Sequence, residues 1–158
     1  MQQFEATVAW ERGAQVFTDQ RYSRAHAWQF DGGLRVPASS SPLSVPLPMS
    51  DPAALDPEEA LVAAASSCHM LFFLSLAAQR GFVVDSYRDH ALGSMERNAE
   101  GKMAMTRIRL RPAIVFAGAA PDAAQLAALH HAAHDKCYIA NSLKTAVLVE
   151  AAPAPGAG

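Results

Sequence analysis

Between Ala60 and Ala78 the chain runs for 19 residues without a charged side chain. That is long enough to cross a bilayer as a helix. The signals at its two ends argue for a helix that starts and stops in water. Asp56 is a good N-cap, Pro57 fits the first helical position, and Glu59 stands three residues after the cap. At the far end, Arg80 supplies a cation in the last turn and Gly81 a left-handed terminator. The run is rich in alanine and carries Ser66, Ser67, His69 and Ser75, with no basic cluster beside it to set a membrane orientation. A helix that is apolar all round is also what a central core helix looks like. The expectation is a soluble core helix over 57–79, with no membrane association.

The other segments are weaker. Glu5 to Trp10 reads as a short strand. Arg24 to Phe30 alternates and is followed by Asp31-Gly32-Gly33, a hairpin turn into Leu34-Arg35-Val36. Residues 37–52 hold five prolines and five serines and must form a loop or an extended edge segment. A strand is expected over Val83 to Met95 and another over Met103 to Phe116, where Arg107 to Arg111 alternate with period two. Pro121-Asp122 opens a second helix reaching about Lys136, and Thr145 to Val149 closes the fold as a strand. This order predicts an α+β domain over 1–150, with helices gathered on a mostly antiparallel sheet. Residues 151–158 contain only Ala, Pro and Gly and read as a flexible tail. A long apolar helix in a domain of this size cannot be covered on all sides by one sheet. A homodimer sharing two such helices would solve that.

The chemistry centres on two cysteines, Cys68 and Cys137, the only ones in the chain. Cys68 lies in the apolar run, in Ser66-Ser67-Cys68-His69, and Cys137 closes the second helix, in His134-Asp135-Lys136-Cys137-Tyr138. The N-terminal residues lack the charged-then-apolar order of an export signal, so a reducing compartment, the cytoplasm, is expected. There such thiols are reactive more often than structural. A net charge of −2 gives no footprint for nucleic acid. A buried cysteine can also be inert. The polar neighbours Ser66, Ser67 and His69 favour chemistry, because buried polar groups need partners. A reactive thiolate needs a nearby cation or helix N-terminus, and the candidate cations are Arg21 and Arg24. Glu58, free of the capping box, stands about 15 Å of helical rise before Cys68, so a long arginine would have to bridge the two. His130 and His134, spaced i, i+4, could hold zinc together with Cys137. The chain has no CxxC or HExxH, and no metal or other cofactor is expected.

At these residues a family resemblance emerges. The run Asp56-Pro57-Glu58-Glu59-Ala60-Leu61 through Ala63-Ala64-Ala65-Ser66-Ser67-Cys68 resembles the Asn-Pro-Glu-Glu-Leu…Ala-Ala…Cys signature of the OsmC/Ohr proteins, the osmotically inducible and organic hydroperoxide resistance family. His134 to Ser142 is similar to that family's resolving-cysteine segment. Tyr138 and His69 depart from the residues that usually follow the two cysteines, which suggests a divergent branch. The resemblance implies an OsmC-like fold assembled as an intertwined homodimer. It implies a peroxidase without haem, flavin or metal, in which Cys68 is the peroxidatic and Cys137 the resolving thiol. Glu58 matches the family glutamate that holds an arginine against the thiolate, with Arg24 the nearest candidate and Arg21 the reserve. His69 and Phe72, with Arg21, are expected to line the substrate side. The implied partners are an organic hydroperoxide and a dithiol reductant such as lipoyl groups on a protein. The alternative is a non-catalytic small-molecule or metal-binding stress protein on the same fold.

Overall fold

A computed structural model of the chain describes residues 1–150. The tail expected at 151–158 lies outside the described residues. The chain forms two compact units, Met1–Ala60 and the unit that begins at Leu61.

In the first unit, strands β1 (Ala6–Ala9), β2 (His26–Phe30) and β3 (Arg35–Ala38) make one antiparallel sheet in sequence order. The Asp31-Gly32-Gly33 turn joins β2 to β3 as the sequence predicts. Gly33 takes φ +85°, a left-handed conformation that costs glycine little. The proline- and serine-rich segment begins inside β3, an edge strand, with Pro37 opposite Ala27. Beyond it the loop is organised by its serines. Ser39 Oγ accepts from the Asp51 amide (3.0 Å) and Ser41 Oγ from the Leu43 amide (3.2 Å). Leu55 then returns to bridge Ala38.

Helix α1 spans Pro57–Gln79. Its start is the capping box read from the sequence. Asp56 Oδ1 accepts from the Glu59 amide at 2.7 Å, and Glu59 Oε2 accepts from the Asp56 amide at 3.5 Å. Gly81, at φ +81°, ends it.

In the second unit the two long strands expected from the sequence are each broken in two. They become β4 (Val83–Asp89) with β5 (Leu92–Arg97), and β6 (Met103–Leu110) with β7 (Pro112–Ala117). The breaks are matched: β4 pairs with β7 and β5 with β6, so both arms part at the same level into separate sheets. Pro112 has no amide proton to continue the ladder. Asp89 Oδ1 accepts from the Arg111 amide at 2.6 Å, which fixes the corner. After β7 come α2 (Ala123–Lys136), a short α3 (Tyr138–Ser142) that the sequence reading missed, and β8 (Ala146–Val149). Strand β8 joins β6 in parallel, with Val147 opposite Ile108. The result is an α+β fold with small, mainly antiparallel sheets and a long helix, rather than one sheet.

Only one stripe of α1 is buried: Ala65, His69, Phe73 and Ala77, spaced i, i+4. Ala65 packs in a cluster with Ile108, Leu110 and Val147. Phe73 and Ala77 pack in another with Ile114, Leu129 and Ala133. Gly93 on β5 lets Val62 and Met105 close over it, since a Cβ there would come within 2.6 Å of Val62 Cγ2 and 2.3 Å of Met105 Cε. The expectation of a helix buried all round is not met within one chain. The opposite face stays open, with Leu71 61% exposed. By length and mean hydropathy (1.8) α1 could cross a membrane, yet its inner stripe is committed to the protein's own cores.

Candidate active site

Cys68 lies midway along α1 and is half-buried; Cys137 is fully buried. Cys137 sits at a joint, serving as both the C-cap of α2 and the N-cap of α3, in extended conformation (φ −66°, ψ 107°). Its sulfur accepts from the Ala140 amide at 3.5 Å. The two thiols, distant in sequence, are close enough for Cys68 to act on the Cys137 thiol, and they are not joined. Burial pushes the Cys137 thiol above its ordinary value and the neighbouring Cys68 thiol adds to that, while the Ala140 and Ile139 amides pull the other way. In this reduced form Cys137 is therefore held as the protonated thiol.

Phe72, one turn beyond Cys68, meets Tyr138, the neighbour of Cys137, edge to face with ring centroids 5.0 Å apart. This aromatic pair spans the same two elements as the thiols. Tyr138 is 73% exposed, so the pair opens to solvent on that side.

The polar residues that interrupt the apolar run each find a place. Ser67 is exposed. Ser66 Oγ donates to Asp89 Oδ2 at 2.5 Å. His69 is fully buried, and its Nε2 lies 3.1 Å from His130 Nδ1 on α2, the rings nearly parallel (9°) with centroids 5.4 Å apart. Phe73 covers the His130 ring, centroids 4.5 Å apart. Burial lowers His130 from 6.5 to about 4. It lowers His69 to the same level, aided by the charges His130 and His134 would carry and opposed by Asp89. Both imidazoles are thus neutral, and one N–H is shared between them. Their outer nitrogens, His69 Nδ1 and His130 Nε2, are buried without a partner among the described residues. Each such group costs about 1–3 kcal/mol, so this pair is expensive for the core.

The remaining predicted residues lie in the first unit. Arg24 is half-buried, its guanidinium 3.8 Å from the Tyr22 ring centre, and it donates to the carbonyls of Gln20 (2.9 Å) and Tyr22. Arg21 is exposed, and Glu58 is half-buried in the first turn of α1. Among the described residues no ion pair joins Glu58 to either arginine. Among the described residues, too, no three His, Cys, Asp or Glu side chains are placed to hold a metal ion.

The sequence reading overlooked His130 as the partner of His69, and Asp89. His69 stands four residues from both Ala65 and Phe73, so its burial followed from the helix; its partner, 61 residues away on another element, did not.

This is an α+β protein carrying a facing pair of free thiols between its two longest helices. The chain belongs to the OsmC-like protein family, whose model matches residues 50–152. It is similar along nearly its whole length to an OsmC-like protein of unknown function from Vibrio cholerae O1 biovar eltor. The two share 50% identity over 96% of this chain and 100% of that one, with a TM-score of 0.94. It shares its fold with an organic hydroperoxide resistance protein from Legionella pneumophila, at 15% identity, 98% coverage of both chains and TM-score 0.68. A second such protein, from Elizabethkingia anophelis, matches at 16% identity over 98% of this chain and 96% of that one, also with TM-score 0.68. No functionally curated protein matches the sequence.

Proposed function

We propose that the protein is a thiol peroxidase for organic hydroperoxides. The observation that carries this reading is the Cys68–Cys137 pair: one sulfur half-open on α1, the other buried at a helix joint within reach of it. The fold shared with organic hydroperoxide resistance proteins supports it. Cys68 attacks the distal oxygen of the hydroperoxide as its thiolate. The O–O bond breaks, the alkoxide leaves and takes up a proton as the alcohol, and Cys68 becomes a sulfenic acid. The Cys137 sulfur displaces hydroxide from it, the Cys137 proton completes a water molecule, and a Cys68–Cys137 disulfide remains. A dithiol reductant, such as a lipoylated protein, restores both thiols and is itself oxidised to its disulfide. Phe72 and Tyr138 favour alkyl over hydrogen peroxide by offering apolar surface at the thiols. Arg24, with Arg21 in reserve, and Glu58 are assigned to support of the thiolate; Arg24→Ala and Glu58→Gln each slow Cys68 oxidation under this reading.

The open face of α1 around Leu71 is assigned to a second copy of the chain, as a homodimer. Light scattering showing a stable monomer overturns that part. The chemistry is tested by mass spectrometry after one equivalent of cumene hydroperoxide. The expected product is an internal Cys68–Cys137 bridge with one equivalent of alcohol. Recovery of two free thiols and intact peroxide ends the proposal.

A further inference from the structure

We infer that the buried His69–His130 hydrogen bond is the positioning element that holds the two cysteines opposite each other, and so sets how readily they form a disulfide. The inference deepens the reading of Cys68 and Cys137 as a redox pair and rests on it. The two residues occupy the places such a tie requires. His69 immediately follows Cys68 on α1, and His130 stands two helical turns before Cys137 on α2. Their hydrogen bond is a direct polar link between the two helices, made in the fully buried stripe of α1. Much of the packing around it is apolar, with Phe73 on the His130 ring and Leu129 and Ala133 beside it on α2, while His134 and Asp89 act on His69 only through their charges. Apolar surfaces tolerate sliding and repacking. A single N–H to nitrogen bond at 3.1 Å fixes both the rotation of α1 and the axial register of α2. The Cys137 backbone is tied to that helix through its amide, which donates to the His134 carbonyl at 3.1 Å. Neither imidazole is assigned contact with a reacting atom; both act through the placement of the sulfurs.

The test equilibrates the full-length protein with reduced and oxidised glutathione and reads the fraction of Cys68–Cys137 bridge by alkylation and mass spectrometry. In that exchange two protein thiols are oxidised to one disulfide while one glutathione disulfide is reduced to two thiols. His130→Phe keeps the ring that Phe73 covers and removes the hydrogen bond. It is expected to lower the equilibrium constant for bridge formation at least tenfold, about 30 mV for a two-electron couple. His130→Asn and His69→Gln place an amide where the bonded ring nitrogen stood. Each is expected to stay within about threefold of wild type. A folded His130→Phe protein with the wild-type constant overturns the inference. So does a tenfold loss in both folded amide variants, which would show that the imidazoles are needed for something other than this bond. If His130→Phe does not fold, the amide variants alone decide. No peroxide enters the measurement, so failure of the peroxidase reading would show separately, as a wild-type pair that equilibrates with glutathione yet ignores cumene hydroperoxide.

Discussion

Two neighbouring stretches of α1 bury their inner faces in opposite ways. At Phe73 and Ala77 the helix packs into an apolar cluster with Ile114, Leu129 and Ala133, with the His130 ring at its border. One turn earlier, Ser66, Cys68 and His69 each meet a single polar partner: Asp89, Cys137 and His130. The apolar stretch needs only the right volume, and many side-chain sets could supply it. The polar stretch needs particular atoms at particular distances, because an unpaired buried group is costly. Stability should therefore reside mainly in the first and chemistry in the second, and substitutions in the two should separate these properties.

The largest effect expected is at the polar stretch. Cys68→Ser should abolish peroxide consumption while leaving the urea unfolding midpoint near that of wild type. Cys137→Ser should allow one turnover and then stall when a dithiol is the reductant. A peroxidase assay with stoichiometric and excess peroxide separates the two outcomes. Wild-type turnover in Cys68→Ser would remove the functional half of the contrast. Ile114→Ala is the counterpart in the apolar cluster. It should cost about 2–5 kcal/mol of unfolding free energy by leaving a cavity, with the folded fraction still forming the Cys68–Cys137 bridge. Denaturant titration followed by single-turnover oxidation checks both parts.

Acid should weaken the polar stretch selectively. His69 and His130 are held near 4 in the folded protein, against 6.5 in an exposed chain, first by burial and for His69 also by its histidine neighbours. Between those values the unfolded chain binds protons that the folded protein refuses. Stability is thus expected to fall as pH drops from about 6.5 to about 4 and to level off below. One such histidine accounts for a loss on the order of 3 kcal/mol across that window. Urea midpoints at pH 7, 5.5 and 4.5 measure it, and His130→Asn, which removes one of the two groups, should flatten the slope. An unchanged slope in that variant would mean the acid sensitivity arises elsewhere.

The same division explains what could be read in advance. The capping box at Asp56 and Glu59, the terminator at Gly81 and the hairpin at Gly33 are local devices, and each stands where the sequence puts it. The two cysteines stood out as the only ones in the chain, Cys68 because its neighbours are polar in an apolar run and Cys137 because it closes a helix. The alternation of period two runs on to Arg111 and hid the break there, although Pro112 and the polar run Arg88-Asp89-His90 were local signs of the two breaks. What interrupts it is a carboxylate from β4 taking the Arg111 amide, a partner 22 positions away. The short helix α3 was missed because its cap is a cysteine sulfur, an acceptor outside the usual Ser, Thr, Asp and Asn set. His130 could be placed on a helix face, yet nothing in its neighbourhood named His69 as its partner. Patterns of period two or 3.6 report which face is buried. They do not report which polar atom waits on the other side.

The smallest effect predicted concerns whether the polar stretch is one device or several. Ser66 Oγ donates to Asp89 Oδ2, while Asp89 Oδ1 holds the Arg111 amide at the corner between β6 and β7. That chain of bonds ends at the Arg111 amide in the sheet, so its task is to fix the strand break rather than the thiol pair. Removing the hydroxyl leaves Asp89 half-buried with one partner instead of two. Ser66→Ala should cost about 1 kcal/mol and speed hydrogen exchange at the Arg111 amide. The Cys68–Cys137 equilibrium with glutathione should stay within about twofold of wild type, because a local change below about 0.4 kcal/mol at the thiols corresponds to no more than that. A tenfold shift would show that Ser66 and Asp89 share the task assigned to His69 and His130, and that the contrast along α1 lies between a redox device spanning the whole polar stretch and the core beside it.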